Sequence, residues 1–218
     1  MSDGLTLLYQ SHSPYARKVL VSAHELGLAD RIDVVHHETS PTNRNDPVFA
    51  ANPLGKVPVL LTPDAGALFD SVVICDYLDR LGGLGRLIPG EGPARYEALR
   101  LQALAQGLCD AGIALRWETV RRPEALRYPP LAHGQAMKLL EAYEHLEAQA
   151  ELGAQVTSGQ ATIGQIALAT ALAWLEFRDL PGFRKRAPRL TAWYDDFCQR
   201  PSMRATPYDG ETQDGGPQ

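Results

Sequence analysis

The order of hydrophobic periods along the chain predicts an α/β + all-α protein, in which a small βαβ–ββα half precedes an all-helical half. Three observations carry this. Short apolar runs alternate with helical-period segments through about the first 80 residues. The composition then turns to Gly and Pro between Leu84 and Gly92, as a linker does. Beyond it, nearly every segment has the period of a helix.

The elements follow in order. Leu5–Tyr9 is a short apolar run suited to a buried strand. Pro14 opens a helical stretch with Val19, Leu20, Ala23 and Leu26 on one face and Gly27 as its stop. Ile32–His36 reads as a second strand, followed by a Pro/Asn/Asp-rich loop from Thr39 to Asp46 and one helical turn before Asn52. Val57–Leu61 is a β-branched strand, Asp64–Gly66 a turn, and Ala67–Phe69 the strand paired through it. Ser71 is read as the N-cap of a third helix that ends at Gly82-Gly83. The expected domains are therefore 1–82, a linker 83–92, and a helical domain 93–205.

In the second half, long helices are expected over Pro93–Arg122, Leu131–Leu152, Thr162–Arg178 and Pro188–Gln199. Thr162 and Gln165 have the spacing of a capping box, in which the cap hydroxyl and the third side chain each satisfy the other's backbone N–H. Ala161 and Ile166 flank it as a small hydrophobic staple. Residues 206–218 are polar and Gly-rich and are expected to form a disordered tail.

Bulk properties bound the function. Hydrophobic residues make up 44% and charged residues 22%, the balance of an ordinary globular protein. A net charge of −5 argues against a general nucleic-acid binder, because phosphate contacts need a basic face. No secretory signal or membrane-spanning run is visible, so a cytoplasmic protein is expected. Cys75, Cys109 and Cys198 are far apart, which suits free thiols in a reducing compartment. His36 and His37 alternate across a strand and the other histidines lack ligand spacing, so no metal is expected. The first half is too small for a doubly wound nucleotide domain and has no GxGxxG.

The segment with most chemical content is SHSPYARKV, where the first strand meets the first helix. Pro14 suits the first helical position, which makes Ser13 the N-cap, beside free N–H groups and the positive end of the helix. Two further segments stand out, NPLGKVPVL from Asn52 and LFDSVVICDYL around Asp70-Ser71. Together they resemble the cytosolic glutathione transferases, particularly the bacterial serine-type, YibF-like members, whose motif runs Ser-Pro-Tyr/Phe-x-Arg-Lys. The resemblance extends from residue 5 to about residue 200. It implies an N-terminal thioredoxin-like domain, glutathione as co-substrate, a hydrophobic or electrophilic small molecule as second substrate, and a homodimer.

By that resemblance Ser13 contacts the glutathione sulfur, with Ser11 and His12 as fall-backs and Tyr9 as a weaker one. Pro58 is expected to be cis, and Val57 to pair with the cysteinyl backbone as an added strand does. Asp70 would meet the α-ammonium and Ser71 the α-carboxylate of the γ-glutamyl end, with Lys56 as a further polar contact. Arg116, Trp117 and Arg121 are the electrophile-site candidates, while Trp174 and Tyr128 are assigned to core or interface.

A serine is too weak a base to deprotonate a thiol, but it can donate a hydrogen bond to the sulfur anion. With no cysteine near residue 13, thiol transfer through a protein disulfide is not expected. Conjugation, or reduction of a peroxide, is the expected chemistry. The alternative is a non-catalytic glutathione- or protein-binding member of the same fold.

Overall fold

In the computed structural model, which describes residues 4–149 and 159–212, the chain begins with strand β1 (Leu5–Tyr9) and helix α1 (Pro14–Leu26). Strand β2 (Ile32–His36), helix α2 (Asp46–Ala51), strands β3 (Val59–Thr62) and β4 (Gly66–Leu68), and helix α3 (Ser71–Leu81) follow. The four strands form one mixed sheet in the order β2-β1-β3-β4. β1 is parallel to β2 and antiparallel to β3, and β3 is antiparallel to β4. This is the predicted βαβ–ββα order.

Strand alternation divides the core of this unit between the two faces of the sheet. Leu8 and Val59 meet Val48 of α2 and Val57 on one face. The opposite face carries Leu5, Leu7 and Leu60, all buried, and is the one left for the packed pair α1 and α3. Val19, Ala23 and Leu26 of α1 and Ile74 and Leu78 of α3 are buried, whereas Leu20 is half-buried. Gly27 ends α1 at φ 72°, in the left-handed region that glycine enters without strain.

The Gly/Pro-rich segment after α3 is tied down by one carboxylate. Asp79, itself buried, accepts from the backbone N–H of Gly85 at 3.0 Å and of Leu87 at 2.6 Å. Composition marks the segment as irregular but does not reveal this fastening.

The described residues fall into two compact units, one within Met1–Arg95 and Pro201–Gln218, the other within Tyr96–Arg200. The second contains most of α4 (Gly92–Arg116), a π-helical turn over Trp117–Arg121, and α5 (Pro129–Ala148), α6 (Ile163–Phe177) and α7 (Pro188–Phe197). Helix α6 is buried nearly all round, as the central helix of a bundle must be. Gly164 allows α6 to approach α4 closely, since a Cβ there would lie 2.5 Å from the Ala98 carbonyl oxygen. At the other end, a Cβ on Gly112 of α4 would lie 2.8 Å from Leu175 and Trp174 of α6.

The expected helix over Leu131–Leu152 ends at Ala148, and its last residues lie outside the described ones. A buried aromatic cluster closes this unit, with Phe183 5.8 Å from Tyr143 and 5.4 Å from Tyr194 between ring centroids. Among the described residues no helix is long and apolar enough to cross a membrane.

The short helix α8 (Pro201–Arg204) and the residues after it return to the first unit, where α8 packs on α1. Of the tail expected to be disordered, residues 206–212 are described and several make specific hydrogen bonds. Residues 213–218 lie outside the described ones. The sequence expectation differs here because the partners of the tail, Ser11 and Arg17, are nearly 200 positions away in the chain.

Candidate functional site

Sheet register brings three distant segments to one end of the first unit. Leu8 near the end of β1 faces Val59 at the start of β3, and Leu60 faces Leu68 at the end of β4. The turn that follows β1, the Val57-Pro58 pair before β3, and the Phe69–Ser71 segment after β4 therefore share that end. They carry Ser13, Val57, Asp70 and Ser71, four of the residues singled out in the sequence.

Ser13 is the N-cap of α1, with extended φ −90° and ψ 121° and Pro14 at the first helical position. Its Oγ accepts from the Ala16 N–H at 3.3 Å, and its backbone N–H donates to the Gln10 carbonyl at 3.1 Å. A hydroxyl has one donor and two acceptor sites. Capping Ala16 uses one acceptor site and leaves the O–H proton to donate elsewhere.

The turn is anchored from the β2 side by Glu38. Gln10 Nε2 donates to Glu38 Oε2 at 3.1 Å and to the Thr39 carbonyl at 2.9 Å. The other carboxylate oxygen lies 2.7 Å from His36 Nε2 and 3.8 Å from His12 Nδ1. His12 is buried beside it. Of the fall-back residues, Ser11 spends its hydroxyl on the Asp209 carbonyl at 2.8 Å. Burial pushes the Tyr9 hydroxyl above its ordinary pKa, with Arg17 pulling it down and Asp209 adding to the rise. A phenol whose pKa is raised is less often ionised and a weaker hydrogen-bond donor to an anion than an ordinary one.

The Val57-Pro58 peptide bond is cis. Both residues are buried and precede the first paired residue of β3, while Lys56 is exposed. The loop before them is held by side chains that sequence reasoning did not single out. Asn52 donates through Nδ2 to the Lys56 carbonyl at 2.9 Å and accepts from the Leu54 N–H at 3.0 Å. Thr39 Oγ1 donates to the Gly55 carbonyl at 2.9 Å. Gly55 has φ +62°, and a Cβ there would lie 2.2 Å from the Phe49 ring, so only glycine fits. The one available signal was Asn52 itself, ahead of Pro-Leu-Gly.

At α3 the expected cap is displaced by one residue. Asp70, not Ser71, is the N-cap, in extended conformation and with its Oδ1 accepting from the Val72 N–H at 2.9 Å. Ser71 is already helical, so its side chain is not in the capping position. Its Oγ is buried and has no hydrogen-bond partner among the described residues. Leaving such a hydroxyl unsatisfied costs about 1–3 kcal/mol. The Phe69-Asp70 peptide bond is also cis.

The remaining candidates lie in the second unit, where α4 ends. Arg116 is its last residue, and the π-helical turn that follows stacks the Arg121 guanidinium 4.4 Å from the centroid of Trp117. Glu118 in the same turn is buried and accepts from Arg122 Nη2 at 2.7 Å and from the Tyr128 N–H at 3.0 Å. Trp174 is buried, as expected of a core residue. Tyr128 is 62% exposed and is therefore not core; it caps the start of α5 with its backbone while its ring stays outside. Among the described residues no group of three or more His, Cys, Asp or Glu could hold a metal ion.

Comparison with known proteins agrees with this architecture. Residues 12–81 match the glutathione S-transferase N-terminal domain and residues 94–196 the glutathione S-transferase C-terminal domain. The chain is 29% identical over 195 residues to the uncharacterized GST-like protein YibF of Escherichia coli K12, covering 89% of this chain and 94% of that one. A glutathione transferase family member from Pseudomonas fluorescens Pf-5, solved with bound glutathione, is 40% identical with a TM-score of 0.87, covering 94% of this chain and all of that one. A glutathione S-transferase from Methylobacillus flagellatus, solved with glutathione, is 33% identical with a TM-score of 0.78, covering 93% and 98%. With both domain models matched in order and a full-length relative at this identity, the chain belongs to the glutathione S-transferase family.

Proposed function

We propose that this protein is a glutathione transferase whose Ser13 hydroxyl stabilises the glutathione thiolate for attack on a small electrophile. The observation that carries the reading is the convergence of two helix N-termini, each with an unused hydroxyl function, at the end of the sheet where Val57-Pro58 also lies. Glutathione has groups to match. Its γ-glutamyl carboxylate suits the start of α3, where the orphaned Ser71 Oγ would gain an acceptor and the helix dipole favours an anion. Its α-ammonium suits the exposed Asp70 carboxylate. Its cysteinyl backbone suits the extended segment at Val57, with Lys56 as a further contact. Its sulfur then belongs at the start of α1.

The energetics are of the right size. A thiol with an ordinary pKa near 8.5 is mostly protonated at neutral pH, and the thiolate is the nucleophile. Lowering that pKa by about two units requires roughly 2.7 kcal/mol of preference for the anion. One charge-assisted hydrogen bond together with a helix N-terminus supplies about that much. In the step itself the thiolate lone pair forms the new S–C bond while the electrophile's leaving group departs with its bonding pair or, in an addition, the π pair shifts to the acceptor carbon, which takes a proton from water. Ser13 holds the sulfur anion and exchanges no proton with it.

For the electrophile, the Arg121–Trp117 stack and Arg116 form a cationic and aromatic surface that suits a flat or carboxylate-bearing molecule. The Pseudomonas fluorescens relative was also solved with S-(propanoic acid)-glutathione, which supports a short acid as the kind of group carried on the sulfur. The reading includes a homodimer, which sedimentation would check. Its direct test is Ser13→Ala assayed with an aryl halide. Conjugation should fall about a hundredfold while calorimetric glutathione affinity changes little. Full activity in that variant would remove Ser13 from the chemistry, and no binding of glutathione by the unmodified chain at millimolar concentration would favour a non-catalytic protein.

A further inference from the structure

The residues just before and just after Ser13 are both held by the C-terminal segment. Ser11 and Asp209 exchange two hydrogen bonds, Ser11 Oγ donating to the Asp209 carbonyl at 2.8 Å and the Asp209 N–H to the Ser11 carbonyl at 3.3 Å. One helical turn beyond Ser13 is Arg17, whose backbone N–H donates to the Ser13 carbonyl at 3.0 Å. Its side chain is buried and pointed at the same segment. Nη2 donates to the Met203 carbonyl at 3.1 Å, Nε to Thr206 Oγ1 at 3.4 Å, and the guanidinium lies 4.4 Å from the centroid of the Tyr208 ring. Thr206 in turn donates to the Ser202 carbonyl at 2.9 Å. Gly210 completes the passage over the turn, since a Cβ there would lie 3.5 Å from Ser11 Oγ and 3.9 Å from His12 Nδ1.

A buried guanidinium is tolerated only where its donors and its planar face are matched. Here they are matched by a carbonyl, a hydroxyl and a ring that all belong to residues 203–208. These residues lie beyond the span matched by the C-terminal domain model, which ends at 196. A donor that stabilises charge on a substrate works by being fixed before the charge arrives, and a shift of about half an ångström weakens it. Glu38 restrains the turn from one side, and Asp209 with Tyr208 restrains it from the other.

We propose that residues 206–210 form a clasp that fixes the Ser13 hydroxyl for the thiolate, with Arg17 and Tyr208 as positioning residues that act through the start of α1. This rests on the role given to Ser13 above. The charged or titratable groups around the turn are Arg17, Asp209, Glu38, His12 and Tyr9. They allow the clasp to be told apart from a simple charge effect. Ending the chain after Ala205 removes the Asp209, Glu211 and Asp214 carboxylates and moves the terminal carboxylate, a net loss of negative charge that by itself would favour the thiolate and lower the thiol pKa. Loss of positioning raises it.

The test is an ultraviolet titration of glutathione thiolate bound to three proteins: the full chain, a chain ended after Ala205, and Tyr208→Ala, which changes no charge. The bound thiol should titrate about one unit higher in both altered proteins, roughly tenfold less thiolate at a pH well below it. Glutathione affinity measured by calorimetry should change less than about threefold. Tyr208→Phe, which keeps the ring over Arg17, should restore the full-chain value. If the shortened chain fails to fold, Tyr208→Ala with Tyr208→Phe carries the test alone. A bound-thiol pKa that is lowered in the full chain but unchanged or lowered further in folded variants overturns the clasp and leaves the Ser13 reading standing. A full chain that binds glutathione without lowering its thiol pKa overturns both.

Discussion

The helix starts at α1 and α6 use the same local device for different ends. Each opens with a hydroxyl residue whose Oγ accepts from a backbone N–H three positions on, at 3.3 Å in both cases. At α6 the device is closed on itself, because Gln165 reaches back to accept from the Thr162 N–H at 2.9 Å. At α1 the third helical residue is Ala16, which has no side chain to return the bond. The Ser13 O–H proton and the positive helix end therefore stay open to a ligand. At α3 the cap moves to Asp70, and the neighbouring Ser71 Oγ is left buried without a partner among the described residues. A reciprocated cap stabilises the fold, and an unreciprocated one at the end of a sheet is available for binding.

Substitutions at these helix starts should separate the two uses. The largest effect is expected for Ser13→Ala, about a hundredfold in kcat/KM for conjugation, with a stability loss of only about 1 kcal/mol from the missing cap. Next comes Gly164→Ala, where the added methyl meets the Ala98 carbonyl and the α4–α6 contact must open. Chemical denaturation should show a loss of about 2 kcal/mol. Thr162→Ala should cost about 1 kcal/mol by the same measurement and leave conjugation unchanged. An activity loss there comparable with that of Ser13→Ala would dissolve the distinction between the two caps.

The smallest effect concerns α7, whose cap comes from another helix. The Glu147 carboxylate at the end of α5 accepts from the N–H groups of Arg189 and Leu190, 42 and 43 positions away. Those backbone bonds, the Leu190 N–H foremost, hold its pKa below the ordinary 4.5. The stabilising effect is then fully present above that ordinary value and is lost as pH falls through the lower, folded-state value. Glu147→Gln should lower the melting temperature at pH 7. The difference from the unmodified chain should shrink as the pH drops from the ordinary 4.5 through the lower folded-state value, which calorimetric melts across the acid range would reveal.

Much of this molecule was legible in one dimension because its signals are local. The strand and helix order, the capping box at Thr162 and Gln165, and the cap at Ser13 depend on residues within about four positions of each other. The site was legible in part for the same reason. Ser13 announces itself through Pro14, but the choice between Asp70 and Ser71 as cap turned on a backbone angle that the two adjacent residue types do not fix. Trp174 and Tyr128 were assigned together to core or interface, and only Trp174 is buried, because an aromatic near a helix end is core or surface according to what packs on it.

The sequence by itself determined two unlike halves, the helix starts that carry the hydroxyls, and the absence of a cysteine at the first of them. The tertiary structure decided what stands around those starts. Sheet register put residues 13, 57 and 70 at one end, Asn52 and Glu38 fixed the loops between them, and residues 203–208 closed on Arg17. The physical reason is the range of the interactions. Capping and periodicity are written within a turn of helix, whereas a buried guanidinium or carboxylate takes whatever donors and acceptors folding brings to it, from any distance along the chain.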